Sequence, residues 1–178
     1  KMASLDLGPV HEFPFLQPPI NKFIQDGYQL LYELDAVDRD FKILPMGHQL
    51  AKLPLDPSLG RILIESNKQA CLNEIIIIIS ALSISDPKER PLDKAEKADQ
   101  AHLLFHDPDS GFMSFIKLWK LLDEKISIKS GKGLRTFCQQ YFVSYTRIRE
   151  WQELYKQLAE MTKELDFKAS QKKVTYER

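Results

Sequence analysis

Five consecutive isoleucines, Ile75 to Ile79, set the strongest constraint on what this chain can fold into. Such a run has to be buried, yet it is far short of the roughly 20 apolar residues that a membrane helix requires. It therefore belongs inside a water-excluding core. Five β-branched residues favour a buried strand by propensity. The chain continues as Ser80-Ala81-Leu82 with no turn signal, however, so the run is read as part of a buried helix. A chain of 178 residues with 43% hydrophobic content can supply the core around it, as one substantial domain or two small ones.

Ahead of that run, Gly8, Pro9, Pro14, Pro18 and Pro19 forbid regular helix, so residues 1–18 read as an extended lead-in from something upstream. Phe23, Ile24, Tyr28, Leu31, Leu34 and Val37 then recur at helical spacing. After the polar turn Asp38-Arg39-Asp40, Phe41-Lys42-Ile43 alternates as a short strand would. Met46, Leu50 and Leu53 mark a second helix that closes before Pro54. Helix, strand and helix over residues 19–56 suit a small winged-helix unit. Asp56-Pro57 pairs an N-cap carboxylate with proline at the first helical position, so a third helix starts there, with the next one expected to be capped by Asn73.

Asp93 is expected to cap a helix through Ala95, Ala98, Ala101 and Phe105, and 106–111 reads as a loop. Phe112, Phe115, Ile116, Trp119 and Leu122 share one helical face, and Ser130-Gly131-Lys132-Gly133 reads as a flexible interhelical stretch. Helical material then runs from near Leu134 past Trp151. Trp151, Leu154, Leu158, Met161 and Leu165 form a continuous apolar seam in it. Residues 57–165 make a helical bundle, and 166–178 a lysine-rich linker or tail. The fold class is mainly α, a small winged-helix unit with a short strand or hairpin packed on a helical bundle.

Charge separates the two parts. Residues 1–116 hold 11 Lys/Arg against 17 Asp/Glu, and residues 117–178 hold 14 against 8, so an anionic partner should prefer the second part. Cys71 and Cys138 give neither a disulfide framework nor zinc-ligand spacing, which fits a reducing compartment. With no signal-peptide core at Lys1-Met2-Ala3-Ser4, the chain reads as cytoplasmic, with no membrane partner.

Catalytic signatures are absent. No GxxxxGK[ST] loop occurs, and Gly131-Lys132-Gly133 lacks both the first glycine and the hydroxyl residue that a phosphate loop uses. An Asp-Glu-x-His box is missing too, so neither a catalytic residue nor a bound cofactor is assigned to this segment. His102 and His106 have the spacing of a zinc pair on one helix face, but no Glu follows the first His and no third ligand is evident, so no metal is assigned. Asp107 and Asp109 sit in a proline-containing loop, where carboxylates usually make turns. A hydrolase built on His102, His106 and Asp107 would lack a nucleophile.

Two segments carry the residue types that hold nucleic acid. Ser85 to Lys94 is a rigidified loop with Lys88, Arg90 and Lys94 beside a helix N-terminus, which equally describes a solvated turn. From Arg135 to Trp151, Phe137, Tyr141, Phe142, Tyr145 and Trp151 alternate with Arg135, Arg147 and Arg149 as stacking platforms with phosphate contacts would. Phe137, Tyr141, Tyr145 and Ile148 nevertheless fall on one helical face, which reads as core.

Several ordered motifs resemble one family. Phe13-Pro14-Phe15-Leu16-Gln17-Pro18-Pro19, followed by Gly27-Tyr28-Gln29-Leu30-Leu31-Tyr32-Glu33-Leu34-Asp35-Ala36-Val37, resembles the segment where DEAH-box RNA helicases pass from their second RecA-like domain into a winged helix. Gly47-His48-Gln49-Leu50-Ala51-Lys52-Leu53-Pro54-Leu55-Asp56-Pro57 looks like the family's LG..LA.LPLDP signature, and Arg90-Pro91-Leu92-Asp93-Lys94 like its RPxDK motif. Phe137 to Tyr145 is similar to its ratchet-like bundle, and Arg147 to Leu154 is most similar to bacterial HrpA-type members. The resemblance implies a helicase-associated segment that helps form the RNA channel and supports 3'–5' translocation and unwinding. It also implies ATP and Mg bound by the parent enzyme, the RecA-like domains as intramolecular partners and single-stranded RNA as ligand. Arg90 and Lys94 are the implied RNA contacts, with Lys88, Arg147 and Arg149 behind them. The competing reading is a free-standing winged-helix DNA reader dimerising through the Trp151–Leu165 seam. Its candidate recognition helix offers mainly His48, Gln49 and Lys52, in the acidic part of the chain.

Overall fold

The computed structural model describes residues 2–5, 7–8, 10–125, 131–165 and 167, and within them the chain is mainly α-helical. The α-helices are α1 (Asn21–Glu33), α2 (Pro45–Lys52), α3 (Pro57–Lys68), α4 (Leu72–Leu82), α5 (Ala95–Leu103), α6 (Gly111–Lys125), α7 (Gly131–Tyr141) and α8 (Tyr145–Glu164). Short 3-10 turns at Ala3–Leu5 and Val10–Glu12 are the only regular structure described before α1, in keeping with the proline density there. The expected lysine-rich tail over 168–178 lies outside the described residues, as does Ser130. No helix among the described residues is long and apolar enough to cross a membrane. The chain divides into two compact units, Lys1–Glu65 and Ser66–Arg178.

In the first unit, α1 ends in a left-handed residue, Asp35 (φ 56°). The Asp35 N–H donates to Tyr32 O and the Ala36 N–H to Leu31 O, the closure that satisfies the last helical carbonyls. Val37 therefore leaves the helix, contrary to the periodicity, and forms an isolated antiparallel bridge with Ile43. The Asp38 carboxylate accepts the Asp40 and Lys42 N–H groups, both at 2.9 Å, and fixes the turn between them. The expected strand is thus this one bridge. Gly47 explains the glycine of α2, because a Cβ there would run into the Ala36 carbonyl and the Ile43 side chain. Pro45 opens α2 and Asp56 caps α3, its carboxylate accepting the Ser58 N–H at 2.9 Å. On α1, Ile24, Tyr28 and Leu31 are half-buried, as is Leu34 just after it, whereas Phe23 is 65% exposed.

In the second unit the isoleucine run is helical, lying in α4 with α6 and α8 packed against it. Packing of that kind outweighs the strand propensity of β-branched residues. Ile76 and Ile79 are buried, and Ile77 borders the main core with Ala81, Leu118, Leu122 and Ile148. Trp151 is wholly buried, and its indole N–H is shared between Ser80 Oγ (2.9 Å) and Ile77 O (3.1 Å). Trp119 packs against it with ring centroids 5.0 Å apart. Truncating such a side chain costs on the order of 3–5 kcal/mol.

Several local expectations are corrected. The N-cap of α4 is Cys71, so Asn73 sits one residue inside the helix. Asp93 belongs to a 3-10 turn, Leu92–Lys94, and Lys94 is the residue preceding α5. The long helix expected from Leu134 is broken: α7 stops at Tyr141, Phe142 turns left-handed (φ 51°), and the Val143 N–H closes back on Cys138 O at 3.0 Å. Gly131 to Gly133 form the first turn of α7. Two residues of the Trp151 seam, Trp151 and Leu158, are wholly buried in the chain's own core, while Leu154, Met161 and Leu165 are half-buried.

Candidate nucleic-acid interface

The break between α7 and α8 positions the basic loop. Leaving the helix at Phe142 frees backbone groups that bridge the segment after α4: Glu89 N–H donates to Phe142 O and Ser144 N–H to Pro87 O, both at 2.8 Å. Lys88 and Val143 pair in an antiparallel bridge between these bonds. Pro87 is fully buried, which pins the loop while its neighbours face outward. Two side chains strengthen the clip. Arg147 Nη1 donates to Asp86 O at 2.7 Å, and His102 Nε2 lies 3.0 Å from Phe142 O. A carbonyl oxygen only accepts, so His102 carries its proton on Nε2.

On this support the sequence-derived cations take up different states. Lys88 is exposed, its backbone N–H bonded to Asp86 Oδ1 at 2.9 Å and its ammonium 3.5 Å from Asp86 Oδ2. Arg90 is held in a two-pronged pair by Asp99 of α5, Nε to Oδ1 at 2.7 Å and Nη2 to Oδ2 at 2.9 Å. The Arg90 hydrogen bond holds the Asp99 carboxyl below the usual carboxylate range. Lys94 is exposed and makes no side-chain hydrogen bond or ion pair among the described residues. Arg147, half-buried, reaches the loop from the first turn of α8. Arg149 does not join them by any described contact; it lies farther along α8, 3.9 Å from Glu153.

Most of the aromatic residues that alternate with these arginines are packed in or against the core rather than presented as stacking platforms. Phe137, Tyr141 and Trp151 are core, and Tyr145 packs at its edge with Arg135 5.3 Å above its ring. Sequence reasoning missed Asp99 and gave His102 and Phe142 other roles, one of a zinc pair and one of the stacking platforms. Their partners lie nine and forty residues away across turns that no periodicity fixes.

Beside the loop lies a cleft of about 560 Å³, lined among others by Lys88, Asp99, His102, His106, Asp107 and Phe115. Several of its polar groups are engaged structurally. Asp107 Oδ1 accepts the Asp109 and Ser110 N–H groups at 3.1 and 3.0 Å, and Lys117 Nζ lies 2.9 Å from Asp107 Oδ2. That lysine holds the Asp107 carboxyl below its ordinary range. Among the described residues no group of three His, Cys, Asp or Glu is placed to hold a metal ion. Burial pushes the Cys138 thiol up to about 11, which leaves it protonated and unreactive at neutral pH.

Two family models cover most of the chain. The helicase associated domain (HA2), winged-helix, matches residues 28–55, and the helicase associated domain (HA2), ratchet-like, matches residues 56–173. The ATP-dependent RNA helicase HrpA of Escherichia coli K12 is 41% identical over 99% of this chain, and the HrpA homolog of Haemophilus influenzae is 38% identical over 99%. The pre-mRNA-splicing factor ATP-dependent RNA helicase prp22 of Schizosaccharomyces pombe is 25% identical over 88%. The matched region is 14%, 14% and 13% of these relatives, so the chain spans about one seventh of their length.

Proposed function

The chain belongs to the helicase-associated (HA2) domain family of DEAH-box RNA helicases, and from that premise we propose that it is the non-catalytic, RNA-guiding segment of an ATP-dependent RNA helicase. The observation that carries the reading is the loop from Asp86 to Pro91, clipped by two backbone hydrogen bonds and Arg147 to the α7–α8 junction, with Lys88 and Arg90 facing outward. A translocating motor has to hold RNA without regard to sequence, and it does so through phosphates. Cations on a backbone that is itself bonded in place lose little freedom when they take up phosphate. Lys94 extends the same row at the start of α5.

ATP and Mg belong, in this reading, to the RecA-like domains of the parent enzyme, where the chemistry would occur. The relatives' far greater length agrees with such neighbours. The partly uncovered α1, with Ile20 before it and Phe23 within it each 65% exposed, fits a helix that those domains complete. This segment would then line the channel beneath the motor and support 3'–5' translocation in the cytoplasm.

Substituting Arg90→Ala together with Lys94→Ala in the intact helicase tests the reading. Single-strand binding loses about 0.7 of salt slope for each phosphate contact removed. The expected result is weaker binding to RNA of any sequence, with a slope shallower by about 1.4. Unchanged affinity and slope would show that RNA does not contact this loop.

A further inference from the structure

Arg90 presents to Asp99 the same edge that it would present to RNA. Its Nε–H and one Nη2–H form two parallel bonds to the two carboxylate oxygens, and this fork matches a phosphate equally well. Both partners are more than half exposed, at 59% and 51% of the side chain, so the pair is a surface ion pair and exchanges at small cost. Each backbone is fixed independently. The neighbouring Glu89 N–H is bonded to Phe142 O, and Asp99 sits in the middle of α5. Residues 85–99 hold five Asp/Glu against four Lys/Arg, so the surface carries its own counter-charge. A carboxylate released there returns to water unhindered.

We propose that Asp99 is an intramolecular stand-in for an RNA phosphate, which occupies the Arg90 fork in the free protein and sets RNA affinity by having to be displaced. The inference rests on the reading that this loop meets RNA, and it adds that binding there is an exchange of one anion for another. Such an exchange keeps each contact weak enough to be broken at every translocation step, while Arg90 stays aimed between steps.

The test is a double-mutant cycle in the intact helicase, with binding of a fluorescently labelled oligouridylate followed by anisotropy at low salt. Asp99→Asn should tighten binding roughly two- to five-fold, the range of a surface ion pair. Combined with Arg90→Ala, the same substitution should have little effect, because no fork remains to be freed. Equal tightening in both backgrounds would mean general charge removal and would overturn the proposal, as would weaker binding of Asp99→Asn. If Arg90→Ala weakens binding but Asp99→Asn changes nothing, the stand-in role fails while the RNA-binding loop survives. If neither single substitution matters, the underlying reading fails as well.

Discussion

At the scale of single residues, the distinction that matters is between charges that are free and charges already engaged. Lys94 stands in solvent, Arg90 is held by Asp99, and Arg147 is bonded to a backbone carbonyl. The sequence does not separate these states, presenting Arg90 and Lys94 as cations among turn-forming residues and Arg147 as one among aromatics in helical material. The RPxDK resemblance made Arg90 and Lys94 legible as candidates. Asp99 was not legible, because it lies nine positions on from Arg90, across loop, 3-10 turn and helix, and no repeat relates them. Gly47 is the reverse case, a residue whose role follows from space alone. A Cβ there meets the carbonyl oxygen of Ala36, which cannot move aside without breaking its bond to the Leu44 N–H at 2.9 Å. Gly47→Ala should therefore destabilise the protein by about 1–3 kcal/mol in urea unfolding, despite alanine's better helix propensity. A stability gain would show that α2 does not approach the Val37–Ile43 turn this closely.

At the scale of elements, length and the absence of turn signals were enough to read the isoleucine run as helix, against its strand propensity. A run of that size is enclosed by α6 and α8 as readily as by neighbouring strands. Helix ends were harder to read, because this chain repeatedly closes helices with left-handed residues that are not glycine. Asp35, Ala70 and Phe142 have φ of 56°, 54° and 51°. Ala70 follows α3, and the Cys71 N–H donates back to Ser66 O at 3.2 Å. A left-handed alanine is disfavoured by its own Cβ. Ala70 is also exposed and has little packing to lose. Ala70→Gly should stabilise the protein by about 0.5–1 kcal/mol, read as a rise in the urea midpoint. A fall would indicate that the turn is not left-handed there. The break at Phe142 was the least legible of all. No glycine or proline announces it, and Phe142 O accepts its two hydrogen bonds from Glu89 and His102, residues that lie far away in sequence.

At the scale of the whole molecule, the two compact units meet between Glu65 and Ser66, whereas the two family models meet ten residues earlier, between 55 and 56. Motif order along the chain was sufficient to identify winged-helix and ratchet-like segments, and the family models match both. The proposed RNA-binding surface was not readable from net charge. The basic excess lies after residue 117, yet Lys88, Arg90 and Lys94 project from the acidic part. Tertiary contact resolves this, since Arg147 from the basic part is bonded onto the loop of the acidic one. If the segment grips RNA while a separate motor hydrolyses ATP, loss of the grip should leave the motor's chemistry intact. The decisive measurement is ATP hydrolysis by the intact helicase carrying Arg90→Ala, Lys94→Ala and Arg147→Ala, followed over a range of single-stranded RNA concentrations. Basal hydrolysis should equal that of the unsubstituted enzyme, and the RNA concentration for half-maximal stimulation should rise several-fold. An unchanged RNA requirement, or a fall in hydrolysis without RNA, would contradict a grip on RNA that is separate from the motor.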